Sequence, residues 1–355
     1  MVNYYELGPD KRLNEIVVAG SHDAGITGGG GNVRTQALNI GQQAKAGVRV
    51  FDLRIAAATV KGPWGTKGAE LRAFHADGKL MKNESKTRKV ADVGRSVTFT
   101  RTKLSGGAFG MGLTKMLADA RAFVESDGGK SEFLLLKFDK CLNWPLIAEA
   151  CIGTLGSTIY RAGGNLNTTQ LKDLKGKVIV LFSKSGVAAL QGAFKPSDGI
   201  LSFRNLYSDP AYAPNFNGLQ YYGKGGTAVT KPFKKTGQNE KKQLKIMQGA
   251  SFMAEPDVIR MMYWTTTGIF ESIKKRNAKM WDPPNIVRLK RLWAQGLEEH
   301  VTYVNPLTAP PGSSANGPLR KRSMPNIVMI DFADDFKCQT IRGLNDATES
   351  ELASL

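Results

Sequence analysis

Two of the three histidines in this chain stand where acid–base chemistry could be done. His22 follows Val17-Val18-Ala19-Gly20-Ser21 and precedes Asp23, and His75 closes the run Leu71-Arg72-Ala73-Phe74. Between them, Val48-Arg49-Val50-Phe51 leads into Asp52-Leu53-Arg54. Late in the chain Ile327-Val328-Met329-Ile330 leads into Asp331. Residues two apart on a strand share a face, so Asp52 and Arg54 would point the same way. Two imidazoles flanking a phosphate can act as general base and general acid, because their ordinary pKa lies near neutrality. A carboxylate behind one of them fixes its tautomer and stabilises its protonated form. A guanidinium presents a rigid fork of donors to non-bridging phosphate oxygens. Such a set needs no metal. Each residue alone has a plainer reading: a structural histidine, a buried Asp–Arg pair, a capping aspartate. Their coincidence at four strand ends carries the case. His300, beside Glu298 and Glu299 in a helical stretch, reads as surface.

Something must hold these residues together. Short apolar, β-branched segments at 15–20, 48–55, 71–75, 133–138, 178–183, 201–207, 260–265 and 327–332 are predicted as strands. Helical patterns lie at 35–45, 113–125, 146–155, 242–249, 270–274 and 285–299. The strands are near-continuous apolar runs rather than alternating ones, the mark of a parallel sheet covered on both faces. Eight of them with intervening helices predict a single α/β domain over residues 1–355, a TIM-like (β/α)8 barrel. Reactive side chains should then sit at C-terminal strand ends, with the first and eighth strands adjacent and Asp331 near His22. The Gly/Lys-rich stretches 56–70, 76–110 and 208–240 read as loops.

The charge balance narrows the partners. Forty-nine Lys and Arg against 31 Asp and Glu give a formal charge of +18, which must attract a polyanion or an anionic surface. Basic residues cluster at 86–89, 231–245, 274–276, 288–291 and 320–322. The count alone does not choose between nucleic acid and acidic lipid, although no nucleic-acid reader motif is present. Cys141, Cys151 and Cys338 have neither metal-type spacing nor an even-numbered disulfide framework. No apolar stretch is long enough to span a bilayer. The first residues lack a basic and apolar leader pattern, so a cytoplasmic or unconventionally exported protein and a secreted form without its leader both stay open.

At this point the residues resemble a known family. Ile16-Val17-Val18-Ala19-Gly20-Ser21-His22-Asp23-Ala24-Gly25 is similar to the opening signature of the phosphatidylinositol-specific phospholipase C catalytic X domain. Gln36, Gln42-Gln43 and Gly47-Val48-Arg49-Val50-Phe51-Asp52-Leu53-Arg54 resemble its next segment. Phe74-His75, Ser131-Glu132-Phe133-Leu134-Leu135-Leu136-Lys137-Phe138-Asp139, Gly176-Lys177-Val178-Ile179-Val180 and Val328-Met329-Ile330-Asp331-Phe332 follow in order. The resemblance implies a distorted barrel of the phospholipase-like phosphodiesterase type. In it His22 takes the proton of the inositol 2-hydroxyl, which displaces diacylglycerol to give inositol 1,2-cyclic phosphate. His75, helped by Asp23, protonates the leaving alkoxide. Arg54 neutralises the phosphate, Asp52 orients Arg54, and Asp331 backs His22.

The same resemblance implies inositol contacts from Lys137 and Asp139. Lys184 lies within a residue of where the family places an arginine, and Asn205 with Tyr207 would match an Asp-x-Tyr pair whose ring stacks on the sugar. Lys184 and Asn205 depart from the pattern and leave the headgroup open to a glycosylated or phosphorylated inositol. Calcium-binding members carry Glu-x-Asp where this chain has Asp52-Leu53-Arg54, so the resemblance is to the metal-independent bacterial type. No metal cofactor is expected, with calcium as the alternative. The implied partner is an anionic, phosphatidylinositol-bearing bilayer rather than nucleic acid, met by a monomer acting at a membrane surface after secretion or delivery. Competing readings are a metal-dependent glycerophosphodiester-type phosphodiesterase and a non-catalytic basic barrel that binds lipid or nucleic acid.

Overall fold

The computed structural model describes residues 1–61, 67–225, 236–247, 257–265, 272–287, 289–290 and 325–346. The first half runs β1 (Val18–Ser21), α1 (Ile40–Ala46), β2 (Val48–Leu53), β3 (Ile55–Lys61), β4 (Lys67–His75), β5 (Met81–Val90), β6 (Arg95–Leu104), β7 (Ala108–Gly112), α2 (Leu113–Glu125) and β8 (Phe133–Phe138). There follow α3 (Trp144–Leu155), α4 (Leu171–Leu174), β9 (Lys177–Phe182), α5 (Lys184–Ala189), β10 (Ile200–Asn205) and β11 (Gly218–Tyr222). The last elements are α6 (Thr236–Met247), β12 (Ile259–Trp264), α7 (Ile273–Met280), β13 (Ile327–Ile330) and α8 (Asp335–Gly343).

Eight strands close a parallel barrel in the order β1-β13-β12-β11-β10-β9-β8-β2, with β2 pairing back to β1. Every residue of β1, β2, β8, β12 and β13 is buried, which is why these segments read as unbroken apolar runs. The helix repeat breaks once, since residues 206–217 between β10 and β11 form turns and no helix. No helix among the described residues is long and apolar enough to cross a membrane.

One barrel strand is not where the sequence pattern puts it. Residues 71–75 belong to β4, which pairs antiparallel with β3 and β7 in a separate five-stranded sheet. The eighth barrel strand is instead β11, inside the stretch read as a loop. Its pattern is weak because it opens on Gly218 and buries a polar residue, Gln220, whose amide bonds the backbone of Ala213. The expected loops at 56–70 and 76–110 are largely strands, with 62–66 outside the described residues. β5 and β6 form a ten-pair hairpin whose side chains are mostly polar and half exposed, so no apolar period betrays it.

Helix ends differ for local reasons. The helix read at 35–45 starts only at Ile40, where Asn39 and Gln42 cap each other's backbone N–H groups. It ends at Gly47, whose φ of +126° and contact with Val2 and Cys338 leave no room for a Cβ. Of the helices read at 242–249, 270–274 and 285–299, residues 248–249, 270–271, 288 and 291–299 lie outside the described residues, as does His300.

The N-terminal end of the barrel is closed by a buried ion pair. Arg49 Nε donates to Glu132 Oε2 at 2.6 Å, and both side chains are fully enclosed. Every remaining group is used: Arg49 donates to the carbonyls of Ala44, Val48 and Val2, and Glu132 Oε1 accepts from Tyr4 and Tyr5 N–H. The guanidinium also lies against the rings of Tyr4 and Phe123.

Candidate active site

At the opposite, C-terminal end, β1 hands over to His22, whose backbone N–H donates to Ile330 O at 3.0 Å. The next residue, Asp23, takes a φ of +43°, a left-handed conformation that aspartate adopts more readily than most side chains. β2 ends at Leu53, and Arg54 is the joint at which the chain leaves the barrel for β3. β4 returns beside β3, and Phe74 N–H donates to Arg54 O at 2.9 Å, so His75 arrives next to the mouth from outside the barrel.

Asp23 is the hub. Its Oδ2 lies 2.7 Å from His75 Nδ1 and 3.6 Å from His22 Nε2, while its Oδ1 lies 3.0 Å from Arg54 Nε. Behind His22, Nδ1 meets Asp331 Oδ1 at 3.0 Å. Asp23 and Asp331 are fully enclosed, whereas the His75 and Arg54 side chains are 26% and 21% exposed. These two are therefore the site's cationic or titratable side chains most open to solvent. Asp52 does not hold Arg54 as expected. It accepts from Lys137 Nζ at 2.9 Å, and Asp23 takes over Arg54 because its turn points a carboxylate across the strand end.

The charges move the titrations apart. Burial opposes protonation of His22, but Asp23 and Asp331 on either side outweigh it and raise its pKa to about 9. The poise near neutrality expected from an ordinary imidazole is thus replaced by a strongly basic one. Burial would raise Asp23, yet His22, Arg54 and His75 hold it well below the usual carboxylate range. For Asp331, burial wins over His22 and its pKa goes up. Lys137 is buried under the rings of Phe203 and Tyr221, but Asp52 keeps it charged.

His22, Asp23 and Asp52 could each turn one ligand atom toward a common point, within 4.8 Å of one another. The set does not fit calcium. That ion wants six to eight oxygens, and here the carboxylates already carry Arg54, His75 and Lys137. A further cation would have to displace these partners from the carboxylates they already neutralise.

The residues expected at the headgroup divide. Lys137 and Asp139 lie at the barrel end, with Lys137 Nζ 3.9 Å from Asp139 Oδ2. Lys184 extends into solvent and pairs with Asp209. Asn205 is used up on backbone, donating to Gly223 O and accepting from Tyr207 N–H. Tyr207 stands on the rim with Lys224 against its ring and hydroxyl. The structure does not gather these three around the histidines.

Sequence reasoning gave no role to Thr35, Gln36 or Tyr263. Gln36 Nε2 donates to His22 O and Ile330 O, its Oε1 accepts from Ala333 N–H, and Thr35 Oγ1 donates to Asp23 O. This dipeptide ties the backbones that carry His22, Asp23 and Asp331. Tyr263, on β12, sets its ring edge-on to His22 with centroids 5.9 Å apart. Gln36 falls in the segment that carries the resemblance, whereas Thr35 and Tyr263 lie in stretches whose local pattern signals only helix or core.

Among the described residues, a parallel barrel thus gathers two imidazoles, a guanidinium and paired carboxylates at the C-terminal face, the architecture of a TIM-like (β/α)8 barrel with a polar site at its mouth. One solved structure agrees at the level of fold. A Staphylococcus aureus phosphatidylinositol-specific phospholipase C covers 95% of this chain and 95% of its own at 15% identity, with a TM-score of 0.54. A mutant of the Staphylococcus aureus enzyme also covers 95% of both chains at 15% identity, with a TM-score of 0.49. A calcium-dependent phosphoinositol-specific phospholipase C from a Gram-negative Pseudomonas sp. covers 61% of this chain and 77% of its own at 12% identity, TM-score 0.37. No protein-family model and no curated protein matches the sequence.

Proposed function

We propose that the protein is a metal-independent phosphodiesterase that cleaves phosphatidylinositol-type lipids at an anionic membrane surface. The observation that carries this is the single carboxylate of Asp23, which contacts both imidazoles and the guanidinium. Arg54 neutralises the phosphodiester. His22 takes the proton of the inositol 2-hydroxyl as its oxygen bonds to phosphorus. The bond from phosphorus to the glycerol oxygen breaks, and His75 delivers a proton to that alkoxide. Diacylglycerol and inositol 1,2-cyclic phosphate result, and water can open the ring with the two histidines in exchanged roles. Asp331 stabilises the imidazolium formed at His22.

The test is release of inositol phosphate from phosphatidylinositol vesicles in EDTA by wild type and His22→Ala. Chelator-resistant turnover that the substitution abolishes supports the reading. Turnover only with added calcium assigns a metal-dependent reaction instead.

The pH profile gives a second check. A base must be neutral to act, and with a pKa of about 9 only about one His22 in a hundred is neutral at pH 7. With a phosphodiester whose leaving group needs no proton, so that no general acid is required, kcat/KM should rise about tenfold per pH unit below pH 9 and level off there. For that substrate, a profile flat from about pH 6 to 8 would remove His22 from the base role.

A further inference from the structure

The pairing of β1 with β13 runs to Ser21 and Ile330, and one more bond follows, from His22 N–H to Ile330 O at 3.0 Å. In a parallel pair the next bond comes back from the other strand, here from Phe332 N–H to His22 O. It is not made. Phe332 takes a φ of +49°, uncommon for a bulky side chain, and its N–H donates instead to Thr35 O at 2.7 Å. Its carbonyl accepts from the Lys337 ammonium, which fixes the turn. The chain thus leaves the barrel directly after Asp331.

Gln36 fills the gap. Its Nε2 donates to His22 O at 2.9 Å and to Ile330 O at 3.1 Å, and its Oε1 accepts from Ala333 N–H at 3.0 Å. The side chain is fully buried, and its own backbone N–H hangs on Ile26 O at 3.1 Å. Such a link matters because Asp331 has little else to hold it. Its Oδ1 meets His22 Nδ1 at 3.0 Å, and its Oδ2 is buried with no hydrogen-bond partner among the described residues. The carboxylate is therefore aimed by its backbone, which Gln36 grips on both sides, at Ile330 and at Ala333. Around His22 stand Asp23 from the loop after β1, Asp331 from the end of β13, Asp52 from β2 and the Tyr263 ring from β12, with Arg54 and His75 behind Asp23.

We propose that Gln36 is a positioning residue for the reaction: its amide stands in for the absent main-chain bond between the two strand exits and keeps the Asp331 carboxylate behind the His22 imidazole. Gln36 is sealed from solvent, so it acts through His22 rather than on substrate. Without the amide the exits of β1 and β13 can part, and a displacement of about 1 Å is enough to cost about a hundredfold in rate. The inference rests on the reading of His22 as the base and Asp331 as its partner.

The experiment pairs steady-state turnover of phosphatidylinositol vesicles with an NMR titration of the histidines, of which the chain has three. Gln36→Met keeps the length of the side chain and removes the amide. Its kcat should fall about a hundredfold while KM stays within about twofold. The His22 midpoint, about 9 with both carboxylates in place, should drop by roughly one pH unit as Asp331 drifts away. Glu132→Gln at the far end of the barrel is the control for stability alone, and it should leave the His22 titration where it is. A Gln36→Met protein with wild-type kcat and titration would overturn the proposal. So would a loss of activity that follows the melting temperature with the His22 midpoint unmoved. If Gln36→Met does not fold, Gln36→Asn, whose amide falls one methylene short, decides, and an unmoved midpoint rejects the positioning role. A wild type without turnover, whose His22 midpoint still falls in the variant, keeps Gln36 as the residue that positions Asp331 and rejects the phosphodiesterase.

Discussion

Asp23→Asn should lower turnover by about three to four orders of magnitude, the scale of loss when the carboxylate that orients a catalytic imidazole is made neutral. The change is nearly isosteric, so the cause is charge and hydrogen bonding rather than volume. His75 loses the acceptor 2.7 Å from its Nδ1, and Arg54 loses the carboxylate 3.0 Å from its Nε. The amide can also present a donor to His75, favouring the wrong tautomer. His22 loses one of the two charges that hold its pKa at about 9, so the rising limb of the pH profile should move to lower pH. Steady-state kinetics across pH, with the melting temperature recorded alongside, separate these effects. A loss of less than tenfold with an unmoved pH limb would mean that Asp23 is not the hub of the reaction.

Glu132→Gln should act through stability instead. Breaking a buried pair by removing one charge costs about 3–5 kcal/mol, because the partner is left uncompensated in the interior. Arg49 is fully enclosed and cannot reach water without opening the N-terminal end of the barrel. Denaturant unfolding should show the loss as a lower midpoint at similar slope. The surviving folded molecules should turn over normally, since the pair lies at the end of the barrel opposite to His22. Replacing both partners, Arg49→Met with Glu132→Leu, should recover part of the loss, because no charge remains buried. A single substitution costing under about 1 kcal/mol would show that the end of the barrel relaxes to admit water.

Much of the site was legible from residue order alone. His22, Asp52, Arg54 and Asp331 each close an apolar run, and a parallel barrel must bring such ends to one face. The adjacency of Asp331 and His22 follows from closure between β1 and β13. His75 was legible as a neighbour of His22 but not as a visitor to the barrel. Its run looks like a core strand because β4 is half buried in a sheet of its own. β11 escaped notice because the buried Gln220 is satisfied by backbone groups at Ala213 that no local pattern records.

By itself, then, the sequence determined the parallel α/β class, the order of the strands' polar ends and the basic composition, because apolar periodicity records burial along one chain. Only the tertiary structure decided which carboxylate serves which cation. Asp23 rather than Asp52 holds Arg54, Asp52 is committed to Lys137, and His22 lies between Asp23 and Asp331 and becomes basic. Those choices depend on distances of a few ångströms between residues far apart in the chain, where Coulomb energy and desolvation are set by the space between groups rather than by their spacing in sequence.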